Sequence, residues 1–159
     1  MLGSNALLVE KPHQAQTANV SFADPALGSV TKPILSGAFK YTSPMNGKPY
    51  IFVVHQAIYI DTMEHSLLCP MQMRENDVIL NECPKSMTEN PTEDHHSMMV
   101  ITDTNQQLRV PLRLRGVTST IYVSTPTPDE CHTLPLLSLI HISEPTRQEA
   151  ISYAVFCLK

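Results

Sequence analysis

Residues 34–60 constrain the fold more than any other part of the chain. Ile34-Leu35-Ser36-Gly37-Ala38-Phe39-Lys40-Tyr41 leads into Thr42-Ser43-Pro44-Met45-Asn46-Gly47-Lys48-Pro49. Then comes Tyr50-Ile51-Phe52-Val53-Val54-His55-Gln56-Ala57-Ile58-Tyr59-Ile60. The second run is dense in β-branched and aromatic side chains, which suit a pleated, half-buried surface. Asn46-Gly47 supplies the positive φ angles of a tight reversal at little cost. The pattern predicts a β-hairpin.

Composition points the same way. The chain has 159 residues, enough for one domain with a real core. It carries 13 Pro against 5 Gly, and each Pro ring removes a donor and clashes one turn back, which limits long helices. Charged residues are only 16% and the net charge is −4. The 11 Lys and Arg are dispersed, so the electrostatic footprint of a direct nucleic-acid binder is missing.

Further β-prone runs lie at 6–9, 20–22, 78–80, 98–102, 108–113 and 118–123. The runs 98–101 and 108–112 flank Asp103-Thr104-Asn105-Gln106-Gln107 and predict a second hairpin with a longer loop. Within Leu108-Arg109-Val110-Pro111-Leu112-Arg113-Leu114 apolar residues alternate with Arg, one face in and one out. Pro111 cannot donate to a ladder, so this is an edge strand. Pro70-Met71-Gln72-Met73-Arg74-Glu75 predicts one short helix with Pro at its first position. Residues 85–96 are polar and read as a loop. The whole predicts a mainly β chain, a partial sheet or barrel-like domain over 1–128, with a linker at 129–136.

Residues 137–159 stand apart. Leu137-Ser138-Leu139-Ile140-His141-Ile142-Ser143-Glu144-Pro145-Thr146-Arg147 is followed, after Gln148-Glu149-Ala150, by Ile151-Ser152-Tyr153-Ala154-Val155-Phe156-Cys157-Leu158-Lys159. These blocks are similar to the translated reading frame of a transposase-type sequencing-library adaptor, with the three residues between them in the place of a variable index. Such a tail is not a native domain and is set aside in reading the fold. The plainer reading is an amphipathic terminal helix over 147–158.

Few residues suggest chemistry. Asp61-Thr62-Met63 and Asp103-Thr104-Asn105 lack the Gly of an aspartic-protease motif and read as turns. No Gly-x-Ser-x-Gly elbow is present. Cys69 and His65 have the spacing of a nucleophile–base pair on a helix, but Pro70 starts the helix only after Cys69, and a structural Cys is the better reading. A zinc site could draw on His65, Cys69, Cys83 and His95 or His96, which are suitable ligand types; the usual Cys-x₂₋₄-Cys pairing is absent, so no metal and no cofactor is expected. Cys69, Cys83, Cys131 and Cys157 read as reduced thiols. The amino-terminal residues lack a basic n-region and an apolar stretch, and no run approaches the roughly 20 apolar residues that span a bilayer. A cytoplasmic protein without a membrane partner is expected.

The run His55-Gln56-Ala57-Ile58-Tyr59-Ile60-Asp61-Thr62-Met63-Glu64-His65-Ser66-Leu67-Leu68-Cys69-Pro70-Met71-Gln72-Met73-Arg74 resembles the protease-like region of Copia-type retrotransposon polyproteins. There a strand ends in a Tyr-Ile/Val-Pro-x-x-x-x-Asn-Leu-Leu stretch and a Gln-containing helix follows. Here Asp61 stands where Pro is usual, and Ser66 where Asn is usual. The segments 76–85 and 110–119 resemble elements of the same kind, and the likeness covers 1–128. It implies a retropepsin-like fold. The parent would be a homodimeric aspartic endopeptidase that cuts its own polyprotein. The resemblance places the catalytic Asp immediately before a stretch like Leu2-Gly3-Ser4-Asn5-Ala6-Leu7-Leu8-Val9, hence upstream of Met1, so no catalytic residue is expected in this chain. The loss of a first strand would leave an unpaired edge and a poorly soluble or partly unfolded fragment. A β-rich interaction module without catalysis is the alternative, and a small zinc-binding module a further one.

Overall fold

The structure is a computed structural model that describes residues 1–9, 15–21, 28–102, 106–140 and 156–158. In chain order its elements are β1 (Leu7–Leu8), β2 (Thr17–Ser21), β3 (Ser29–Thr42), β4 (Pro49–Ile58), β5 (Ser66–Leu68) and α1 (Pro70–Glu75). There follow β6 (Ile79–Asn81), a 3₁₀ turn at Lys85–Met87, β7 (Ser97–Ile101), β8 (Gln107–Pro111), β9 (Arg113–Arg115), β10 (Thr118–Ile121), α2 (Pro128–Thr133), β11 (Leu136–Ile140) and β12 (Phe156–Leu158). The chain is mainly β, as the residue pattern predicts, and the described strands do not close into a barrel.

The predicted first hairpin is the centre of the main sheet. β3 and β4 pair antiparallel from Thr42↔Pro49 to Ile34↔Ile58. Their loop spans 43–48, longer than a two-residue turn. Gly47 accepts a φ of +69°, and the loop is closed by Ser43 N–H donating to Lys48 O at 2.9 Å. The register slips between Leu35 and Gly37, where β4 carries an extra residue and Gln56 takes a φ of +50°. This is the geometry of a β-bulge, which bends a strand locally.

β1, β3, β4 and β11 lie side by side in that order, and β2 pairs with the outer half of β3. A second sheet runs β5-β12-β10-β9, and a third runs β6-β7-β8. Apolar faces of all three meet in one core. Phe39, Phe52, Ile51, Leu2 and Met98 are each 0% exposed. Tyr41 stacks on Phe52 with ring centroids 4.8 Å apart, an arrangement that adds to the area both rings bury.

Two elements differ from the sequence expectation. α2 begins at the boundary given to the linker. Thr127 accepts a hydrogen bond from Glu130 N–H while the Glu130 side chain receives the Thr127 N–H, a capping box followed by Pro at the helix start. The tail enters the main sheet. β11 pairs parallel with β4, Leu137 opposite Phe52 and Ser138 opposite Val53, and Leu137 and Leu139 are buried. Strand β12 lies between β5 and β10, so the plainer reading of a terminal helix over 147–158 meets strand at 156–158, and 147–155 lie outside the described residues. An alternating apolar segment such as Leu137-Ser138-Leu139 packs on an open strand edge whatever its origin, because pairing and burial read only its pattern.

Candidate functional site

The amino-terminal segment is seated between two others. Leu2 N–H donates to Ile58 O at 2.8 Å, and Ile60 N–H donates to Leu2 O at 2.9 Å. On the other side Leu67 N–H donates to Met1 O at 2.9 Å and Ser4 N–H to Met63 O at 2.7 Å. Gly3 lies so close beneath that a Cβ there would stand 2.6 Å from Met63 O. The fully buried Ser66 hydroxyl accepts from Gly3 N–H at 2.9 Å and donates to Asn5 Oδ1 at 2.8 Å. Ser66 therefore ties the segment that carries the resemblance to residues 3–5. The Met1 ammonium donates to Leu67 O at 2.8 Å, and burial pulls its pKa down to about 6.

The other singled-out residues lie apart. Asp61 sits at an exposed corner, with its carboxylate 3.2 Å from Lys32 Nζ. The hydrogen bond from Lys32 holds that carboxyl below the usual range. Asp103 lies outside the described residues. His65 precedes β5, and Cys69 caps α1 with an extended backbone, its carbonyl accepting from Met73 N–H at 3.1 Å. The helix does start only after Cys69, so a helical His65–Cys69 pair does not form.

Cys83 is exposed, with its sulfur 3.3 Å from the Thr88 hydroxyl. The ring Nδ1 of His95 accepts from Thr92 N–H at 3.0 Å. Nε2 of His96 lies 3.0 Å from the Ser119 hydroxyl, and burial lowers the pKa of that ring. Among the described residues no group of three or more His, Cys, Asp or Glu could hold a metal ion, so the zinc candidates His65, Cys69, Cys83 and His95 are not assembled into a site. The reason is topological. His65 and Cys69 flank β5 in the second sheet, whereas Cys83 and His95 lie in the chain between β6 and β7 of the third.

A concave surface lies beside β8, and His95 and His96 from the zinc candidates line it. A hollow of about 350 Å³ is lined by Lys85, Glu93, His95, His96, Arg109 and Pro111 among others, and a second of about 320 Å³ continues it. Met45 at the tip of the first hairpin and Arg109 on β8 line both. Glu93 bridges two cations, at 3.3 Å from Lys85 Nζ and 3.6 Å from Arg109 Nη2, and Asp94 lies 3.7 Å from Arg109 Nη1. The floor between β7 and β8 is the second predicted hairpin, in register Ser97↔Pro111 to Ile101↔Gln107. The edge position expected for Pro111 and the paired His95-His96 are the sequence signals that fall on this surface. The approach of residue 45 to residue 109 is not readable from sequence.

Among the described residues no helix is long and apolar enough to cross a membrane. Comparison with family models, with curated proteins and with solved structures finds nothing that matches this chain.

Proposed function

We propose that this chain is the protease-like β domain of a Copia-type polyprotein, in a form without peptidase activity of its own. The reading is supported by the local structure of residues 55–74, the stretch that carries the resemblance. They run as the end of β4, an exposed turn at Asp61, β5 and α1. Ser66, in the place usually held by Asn, still supplies a buried polar anchor to residues 3–5.

The observation that carries the inactive half is the state of Asp61. Aspartyl hydrolysis needs two carboxyl groups close enough to share one proton, one as acid and one as base. Asp61 instead faces solvent and is neutralised by Lys32. Glu93 and Asp94, the carboxylates of the hollow, each meet cations. In this proposal the working Asp belongs to the parent, which would act as a homodimer on peptide bonds of its own polyprotein and use an activated water with no metal.

Purified chain incubated with an unstructured protein at acidic and neutral pH is expected to release no peptides. Cleavage that an aspartic-protease inhibitor blocks would contradict the proposal. Reading the source DNA in frame upstream of Met1 tests the ancestry separately. An Asp-Ser/Thr-Gly-like or Asp-x-x-Ala-Asp-like motif is expected there. Its absence would favour a β-rich interaction module of a mobile element, a reading that the open edge of β8 supports.

A further inference from the structure

We propose that the hollow along the outer edge of β8 is a docking site for an extended acidic peptide from another polypeptide, added as a strand, with its carboxylate between Lys85 and Arg109. The inference rests on the edge geometry and does not depend on the resemblance.

The free edge follows from the ladder. Leu112 N–H donates to His96 O at 2.8 Å and Thr102 N–H to Gln106 O at 2.8 Å. In an antiparallel pair hydrogen-bonded positions alternate with non-bonded ones. Leu108 and Val110 therefore face β7, and the backbone groups of Gln107, Arg109 and Pro111 point the other way. No described strand pairs with that side of β8. All three residues line the hollows, and Met45 lines both. An extended segment adds its main-chain hydrogen bonds along such an edge and takes specificity from alternate side chains. The stretch from Gln107 to Pro111 spans roughly 13 Å at about 3.3 Å per residue, room for a short strand. Pro111 offers only a carbonyl and sets one limit of the pairing.

Charge selects the occupant. In a chain of net charge −4, Lys85 and Arg109 converge here on the Glu93 carboxylate, and Arg109 also meets Asp94 at the longer distance of 3.7 Å. Glu93 holds both cations beyond 3.2 Å, and its side chain is 73% exposed. It marks where an anion sits while being held loosely enough to be displaced. An incoming carboxylate can take the same place, and Arg109, whose side chain is only 24% exposed, presents a fork that suits bidentate contact. The exposed Met45 and Leu114 beside it give apolar neighbours to the flanking side chains.

The test uses the full chain and a fluorescein-labelled peptide, Thr-Val-Glu-Val-Thr, read by fluorescence anisotropy. Saturable binding is expected. It should weaken roughly tenfold when the peptide Glu is replaced by Gln, or when Arg109→Ala removes the fork, the size of one charge-assisted hydrogen bond. Glu93→Gln should tighten binding several-fold, because it removes the competing carboxylate. Three results would overturn the proposal. One is no saturable binding to wild type or to Glu93→Gln, which would leave Arg109 and Pro111 as mere guards against edge pairing. Another is equal affinity for the Gln peptide. The third is wild-type chain that sediments as a dimer which Arg109→Pro dissociates, since the edge would then belong to a second copy.

Discussion

The two hairpins are built on the same plan and end in opposite circumstances. Both pair antiparallel and both bury one apolar face. The β3–β4 hairpin is flanked by β1 and β2 on one side and β11 on the other. Among the described residues the β7–β8 hairpin has β6 on one side and no strand on the other. A covered strand spends its backbone groups on the fold, whereas an open one keeps them for a partner. Side-chain chemistry follows the difference. Beside β4 lie Phe39, Leu137 and Leu139, and beside β8 lie Lys85, Glu93 and His96.

Substitution should break the two regions unequally. Phe52→Ala empties the stacked centre of the covered hairpin. It should lower unfolding free energy by about 3–5 kcal/mol in urea melts. Leu139→Ala asks whether β11 truly completes the sheet. A loss of about 2–4 kcal/mol is expected, and a negligible change would mean that the tail does not cover β4.

Thr127→Ala removes one half of the α2 capping box and should cost about 1 kcal/mol. The Met1 amine adds a pH effect. Its folded pKa is lowered to about 6 from 8.0, so the unfolded chain binds the proton more tightly. Stability should rise from pH 6 to pH 8 and then level off. The half-buried His96 ring adds a change of the same sign at lower pH. Thermal melts of free and N-acetylated chain should differ in this window. Arg109→Ala, on the open hairpin, should change stability by no more than about 0.5 kcal/mol in the same melts.

Local signals were legible where neighbours in sequence decide the outcome. α1 spans the predicted Pro70–Glu75 because Pro at its start and good helix formers after it are local causes. Leu108, Val110 and Leu112 are buried and Arg113 exposed, as the alternation requires, whereas Leu114 in β9 is exposed and breaks it. The capping box of Thr127 and Glu130 is equally local, and it straddles the boundary between the expected domain at 1–128 and the expected linker at 129–136. What pattern alone could not supply is pairing at a distance. β11 lies parallel to a strand more than eighty residues earlier, and β12 inserts between β5 and β10. The hollow likewise gathers Met45, Lys85, His96 and Arg109 from separate loops and strands. No spacing rule links them, and their meeting depends on how three sheets share one core.

Amide hydrogen exchange tests the contrast between the hairpins most directly, because it reads each backbone donor. The N–H groups of Gln107 and Arg109 should exchange near the rate of open loops, while that of Ile51, which donates to Pro135 O at 2.9 Å, stays protected until the main sheet opens. Slow exchange at Gln107 and Arg109 in monomeric chain would mean that the edge of β8 is already occupied, and the division into a covered hairpin and an open one would not stand.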